Sequence, residues 1–132
     1  YTSIEGVLFT KDRLKLIGYP FGIKQKKYSV PEGTHFIGKT FFYSKYLREL
    51  VLPKSLESLG MDAISGSIRD VYIQNDFVVI DQFAFGFESD LIKLHCTMNS
   101  TTARFVEKAI EDGRTNVELI NDSESEEIKV IK

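Results

Sequence analysis

The sequence predicts a β-rich α/β chain: a short solenoid of stacked repeats, opened by an N-terminal β-hairpin and closed by a C-terminal helical cap. Three observations carry this expectation. The middle of the chain superposes on itself at a shift of 22 and then 21 positions. The opening residues hold two apolar runs around a polar turn. Behind the repeats, an amphipathic stretch with cap signals at both ends precedes a last apolar run.

The hairpin is expected over residues 1–22. Ile4, Val7, Leu8 and Phe9 make one apolar run, Leu14, Leu16, Ile17 and Tyr19 the other, with Lys11-Asp12-Arg13 as the turn between them. Gly18-Tyr19-Pro20 and Phe21-Gly22 close the unit.

The repeats are expected over 28–96. Pro31 and Pro53, Ile37 and Leu59, Gly38 and Gly60, and Phe42 and Ile64 are each 22 positions apart. Leu59 to Ile80, Gly60 to Asp81 and Ile64 to Phe85 are each 21 apart. Agreement in several independent columns marks a repeat whose copies are too short to bury their own apolar faces, so stacking supplies a shared core. Each copy reads as a short strand (50–52, 71–73), a turn and a second extended piece (56–59, 77–80). A bend at Gly38, Gly60 or Asp81 follows, then an inward pair: Phe41-Phe42, Ala63-Ile64 or Ala84-Phe85.

The cap is expected over 97–120. Asn99-Ser100-Thr101-Thr102 offers N-cap residues, Phe105, Val106, Ala109 and Ile110 repeat at helical spacing, and Gly113 marks the stop. Val117, Leu119 and Ile120 read as a final strand. Residues 121–132 begin with an acidic run and read as a tail or linker.

Composition bounds the function classes. With 132 residues, 42% of them hydrophobic and 27% charged, the chain has a globular balance and the size of one domain. Its 17 basic and 19 acidic side chains leave a formal charge of −2, which argues against a nucleic-acid partner and against whole-chain attraction to anionic membranes. A single cysteine excludes an intrachain disulfide and a multi-cysteine zinc site. No apolar stretch approaches the roughly 20 residues that span a bilayer, so no membrane insertion is expected. Starting at Tyr1 with no charged-then-apolar leader, the chain reads as a fragment or mature form of something longer.

The repeat resembles the BspA-like class of leucine-rich repeats. LRELVLPKSLESLGMDAI follows that pattern's order, and Ala84-Phe85 keeps its last element. The opening SIEGVLFTKDRLKLIGYP resembles a hairpin module found with such repeats. Departures are Gln74 at the proline position, Asp81 for glycine and Phe41 for alanine. The resemblance implies a short leucine-rich-repeat solenoid on a secreted or cell-surface protein, used in adhesion or other protein contacts. The partner would be a host or matrix protein or a neighbouring chain.

No catalytic constellation stands out. Cys96 falls in the inward column of Val30, Leu52 and Ile73, and strand neighbours point to opposite faces, so His95 cannot activate it. His35 and His95 lie in different repeats without metal-ligand spacing, and Asp62, Glu88 and Asp90 read as solvated acids rather than a calcium site. Glycines form no phosphate cradle. The expectation is therefore a non-enzyme, monomeric, with no cofactor and no metal. Sequons at Asn99 and Asn121 matter only in a glycosylating secretory pathway.

The outward columns of the first strands are the candidate binding surface. One holds Lys26, Arg48, Arg69 and Ile92, the next Lys27, Glu49, Asp70 and Lys93, and the third Ser29, Val51, Tyr72 and His95. Arg48, Arg69, Tyr72, Lys93 and His95 are the expected protein-binding residues, Tyr and Arg being favoured interface anchors. A spacer or accessory role beside a functional domain, and a glycan-binding role, are the alternatives.

Overall fold

The opening apolar run, expected as one strand, folds into two. β1 (Thr2–Ile4) and β2 (Val7–Phe9) pair antiparallel with Ile4 opposite Val7. Glu5 and Gly6 connect them at φ 51° and 86°, the mirror-image turn whose twist matches a two-residue hairpin. β3 (Lys15–Gly18) then pairs antiparallel with β2. In the turn before it, the Asp12 carboxylate accepts from the Thr10 hydroxyl at 2.6 Å and the Leu14 amide at 3.0 Å. These bonds favour the charged form and hold that carboxyl below its ordinary value.

The structure, a computed structural model, describes residues 1–20, 22–38, 45–64, 67–85 and 91–121. From Lys27 onward the chain alternates between two sheets. β4 (Lys27–Ser29), β6 (Glu49–Leu52), β8 (Asp70–Ile73), β10 (Ile92–Cys96) and β11 (Val117–Asn121) form a parallel sheet in the order β11-β10-β8-β6-β4. β5 (Phe36–Ile37), β7 (Ser58–Leu59) and β9 (Val79–Ile80) extend the opening strands into a mixed sheet, β1-β2-β3-β5-β7-β9. The joint is parallel pairing of Lys15 and Leu16 with Phe36 and Ile37. One helix, α1 (Thr101–Glu111), lies between β10 and β11.

This mixed α/β fold of two sheets and one helix corrects the expected leucine-rich-repeat solenoid with a separate hairpin and a helical cap. The physical reason lies in the backbone pairing. β3 gives its outer edge to β5, so the opening strands are integral to one sheet rather than a module set before an array. After α1 the chain returns and adds β11 in parallel to β10, extending the second sheet beyond the repeats.

Inward side chains of both sheets form one core. The parallel sheet contributes Tyr28, Leu50, Val71 and Leu94 in register, and the mixed sheet Leu16, Ile37 and Leu59. Ala63, Ile64, Ala84 and Phe85 are fully buried, with Ile64 bridging Phe85, whose ring lies 5.6 Å from that of Phe105 on α1. The Phe41-Phe42 pair lies outside the described residues.

Where the repeat departs from its own pattern, side chains replace what was lost. A Cβ on Gly60 would sit 3.4 Å from the Gly38 Cα of the preceding copy, so the bend stacks backbone closely on backbone. Asp81 takes that place in the next copy and accepts from the Phe83 amide at 2.8 Å. Gln74, at the proline position, donates to the Leu52 carbonyl at 2.8 Å, and Asn75 donates to the Lys54 and Leu56 carbonyls.

Ser100 caps α1, its hydroxyl accepting from the Ala103 amide at 3.1 Å. The helix starts at Thr101, two residues ahead of the first apolar position, and buries Thr102, Ala103, Val106 and Ala109. Ile110, expected inward, is 57% exposed, because that face turns away from the sheets. Thr101 ties the helix to β9's approach, its amide donating to the Asp76 carbonyl and its hydroxyl to the Val78 carbonyl. No helix among the described residues is long and apolar enough to cross a membrane.

Candidate functional site

Strand alternation sends Tyr28, Leu50, Val71 and Leu94 inward, so the residues on either side of each face outward. Pairing aligns Lys27, Glu49, Asp70 and Lys93 in one outward column and Ser29, Val51, Tyr72 and His95 in another. β11 lengthens both columns by Glu118 and Ile120, residues the sequence reading left out of them.

Lys26, Arg48 and Arg69 sit one step before these strands, on consecutive rungs. The Arg48 amide donates to the Lys26 carbonyl and the Arg69 amide to the Arg48 carbonyl, both at 2.8 Å. Ile92 does not continue this column: it is buried in the core, so the basic stripe ends at Arg69. The Arg48 guanidinium is exposed and donates to the Lys45 and Leu47 carbonyls at 2.9 and 3.3 Å. Arg69, half-buried, donates to the Ile68 carbonyl.

The centre of the face is a bonded cluster rather than a row of separate solvated groups. Tyr72 and His95 stack with ring centroids 4.1 Å apart and planes 19° from parallel. The His95 Nε2 lies 2.9 Å from the Asp70 Oδ1, and the Tyr72 hydroxyl donates to the Glu49 Oε1 at 3.2 Å. Each aromatic ring thus reaches a carboxylate of the neighbouring column on an earlier rung. Tyr72 is half-buried within this stack. The shared column was the signal for the stack, since neighbours in register bring aromatic faces within contact distance.

Lys93 is exposed beside His95, with Cys96 buried on the opposite side of the strand. That arrangement gives His95 no access to the thiol. Among the described residues no group of three His, Cys, Asp or Glu is set to hold a metal ion. Asp62 lies in a loop at φ 55°, whereas Glu88 and Asp90 lie outside the described residues. Asn99 is exposed just before α1, and the remaining sequon positions after Asn121 fall outside the described residues.

Two further features carry unusual electrostatics. Tyr19 and Tyr28 pack with centroids 5.1 Å apart. Burial, with Tyr19 and Glu5 nearby, pushes the Tyr28 phenol up to about 12. Beside α1, Arg114 lines a groove of about 470 Å³ together with Ile80, Phe105 and Asn116. Its guanidinium donates to the Asn116 side chain at 2.6 Å and to the Gln82 and Phe85 carbonyls. Burial lowers its affinity for the proton, and those acceptors compensate the charge. Groove and strand face are distinct, and only the latter displays repeated outward columns.

Compared with family models, with curated proteins and with solved structures, the chain matches none of them.

Proposed function

We propose that this chain is a non-catalytic protein-binding module that acts through the outer face of its parallel sheet. The observation that carries the reading is the Tyr72–His95 stack held by Glu49 and Asp70. A cluster fixed on consecutive rungs loses little side-chain freedom on association, which is a principal cost of binding. Arg48 and Arg69, one step before β6 and β8, and Lys93 on β10 add basic groups to these strands. The resemblance of the repeat to the BspA-like class supports a place on a secreted or cell-surface protein.

The test is affinity for a partner identified by cross-linking through photoreactive groups placed at Val51 and Ile120. Tyr72→Ala and His95→Ala are expected to weaken that partner by at least about tenfold, as truncation of an interface anchor does, with circular dichroism unchanged. Unchanged affinity in both variants would remove this face from the interaction.

A further inference from the structure

The two edges of the parallel sheet are built differently. At one edge β4 has three residues, with Lys27 in the strand and Lys24 and Lys26 just before it, all exposed. Lysines on a short edge strand discourage a further strand from pairing there. At the other edge β11 has five residues, of which only Glu118 is charged. Among the described residues it pairs with β10 alone. Its inward Leu119 is half-buried, whereas Leu94, Val71 and Leu50 on the preceding rungs are fully buried. The helix α1, which packs against β11, ends the core in the same way. Phe105, Lys108, Ala109 and Asp112 form its flank toward Ile80 of β9 and line the groove there. Helical spacing puts Ala103, Val106 and Ile110 on the other flank, where Ile110 is exposed.

A second copy of the chain fits this edge. With β11 antiparallel to its copy and Leu119 on the two-fold axis, every residue of the strand has a partner. Val117 then faces the partner's Asn121, Glu118 the partner's Ile120, and Leu119 the partner's Leu119. Residues directly opposite in an antiparallel pair share a face of the sheet, so the two Leu119 side chains meet inward and the core column continues across the axis. The only charges on the two strands, the Glu118 carboxylates, each face an isoleucine rather than each other. We propose that β11 pairs antiparallel with β11 of a second copy, joining the two five-stranded parallel sheets across a closed two-fold dimer in place of the expected monomer. A head-to-tail contact of β11 with β4 would instead leave an edge open at each end, and it would meet the β4 lysines. Glu118 and Ile120 stay outward, so the strand faces of the two copies become one surface. The dimer itself needs nothing from the strand-face reading above.

Sedimentation velocity of the full chain from low to high micromolar concentration tests the dimer, with circular dichroism of each variant as the control for folding. The chain is expected to pass from monomer to dimer over that range. Ile120→Glu sets two like-charged pairs with Glu118 across the axis, whereas Ile120→Lys sets two opposite-charged pairs there. Ile120→Lys is therefore expected to dimerise at least about tenfold more tightly than Ile120→Glu, a split that a merely structural role of Ile120 would not produce. If Ile120→Glu loosens the fold, Glu118→Lys added to Ile120→Lys rebuilds the like-charged pairs and is expected to weaken the dimer to the same extent. A chain that stays monomeric throughout overturns the inference and leaves the edge to another strand. So does a dimer in which Ile120→Glu and Ile120→Lys behave alike, because its interface then lies elsewhere or in another register.

Discussion

Along the parallel sheet the strands are three to five residues long, whereas β5, β7 and β9 of the mixed sheet have two residues each. From β4 to β10 successive strands alternate between the two sheets, and both sheets close on the same core. A longer strand fixes two outward columns beside its inward residues, and side chains in adjacent columns can then bond to one another, as Tyr72 does to Glu49. A two-residue strand fixes a single outward column, here Lys15, Phe36, Ser58 and Val79. That column leaves Phe36 39% and Val79 67% exposed. Repetition alone therefore does not make a surface; ladder length does.

The contrast breaks most severely if an inward residue of the long ladder is removed. Leu50 is fully buried between Tyr28 and Val71 in register. Leu50→Ala is expected to cost about 3 kcal/mol, from lost transfer energy plus the cavity left behind. Chemical denaturation measures it. A cost under about 1 kcal/mol would mean that the ladder repacks around the gap and that its outward columns are not held rigidly.

Tyr28 sharpens the comparison where the two sheets meet, because its ring packs on Tyr19 just beyond β3. Its phenol titrates near 12 in the folded protein against an ordinary value of 10. The raised value means that the folded state keeps the proton after the unfolded chain has lost it. The associated stability is fully present below pH 10 and is lost as pH rises toward 12, on the order of 2 kcal/mol by linkage. Tyr28→Phe is expected to flatten that alkaline decline in denaturation series at stepped pH. An unchanged decline would assign it to other groups.

Much of the parallel sheet was legible because period-two alternation and a constant copy length together fix register. Thus the pattern alone aligns Lys27, Glu49, Asp70 and Lys93 and places Cys96 inward. The mixed sheet was less legible. Glu5-Gly6 is a weaker turn signal than Asn-Gly, so Ile4 and Val7 read as neighbours in one strand instead of partners in two. The parallel pairing of β3 with β5 joins residues 21 positions apart across unrelated sequence, about which local pattern says nothing. On α1, Ile110 fits the helical period, but the face that packs runs through Thr102, Ala103, Val106 and Ala109 and leaves Ile110 outside it. At the site, two of the three columns were readable, but Ile92, expected outward in the third, is buried in the core, and the Tyr72–His95 stack and its two carboxylate bonds depend on rotamers that spacing does not encode.

The helix offers an intermediate test, since it spans from the end of the long ladder to the last short strand. Ser100→Ala removes the hydroxyl that satisfies the Ala103 amide and is expected to cost about 1 kcal/mol. Hydrogen exchange would locate the loss in α1 and in the segment leading into β9, where Thr101 bonds to the Asp76 and Val78 carbonyls. Exchange that rises equally in β6 and β8 would show that the two ladders do not respond independently.

The smallest effect belongs to the outward column of the short ladder. Val79 stands 67% exposed on a strand of two residues, in register with Ser58, and its removal uncovers little apolar area. Val79→Thr keeps the β-branched shape that an extended backbone favours, so the change is expected to stay within about 0.5 kcal/mol. The matching substitution on the long ladder, Val51→Thr, lies half-buried beside Tyr72 and should cost more. Thermal denaturation of the two variants side by side measures the difference. Equal costs, or a larger one at Val79, would mean that ladder length does not decide which outer face is ordered. The distinction between the two sheets would then have to rest on side-chain chemistry alone.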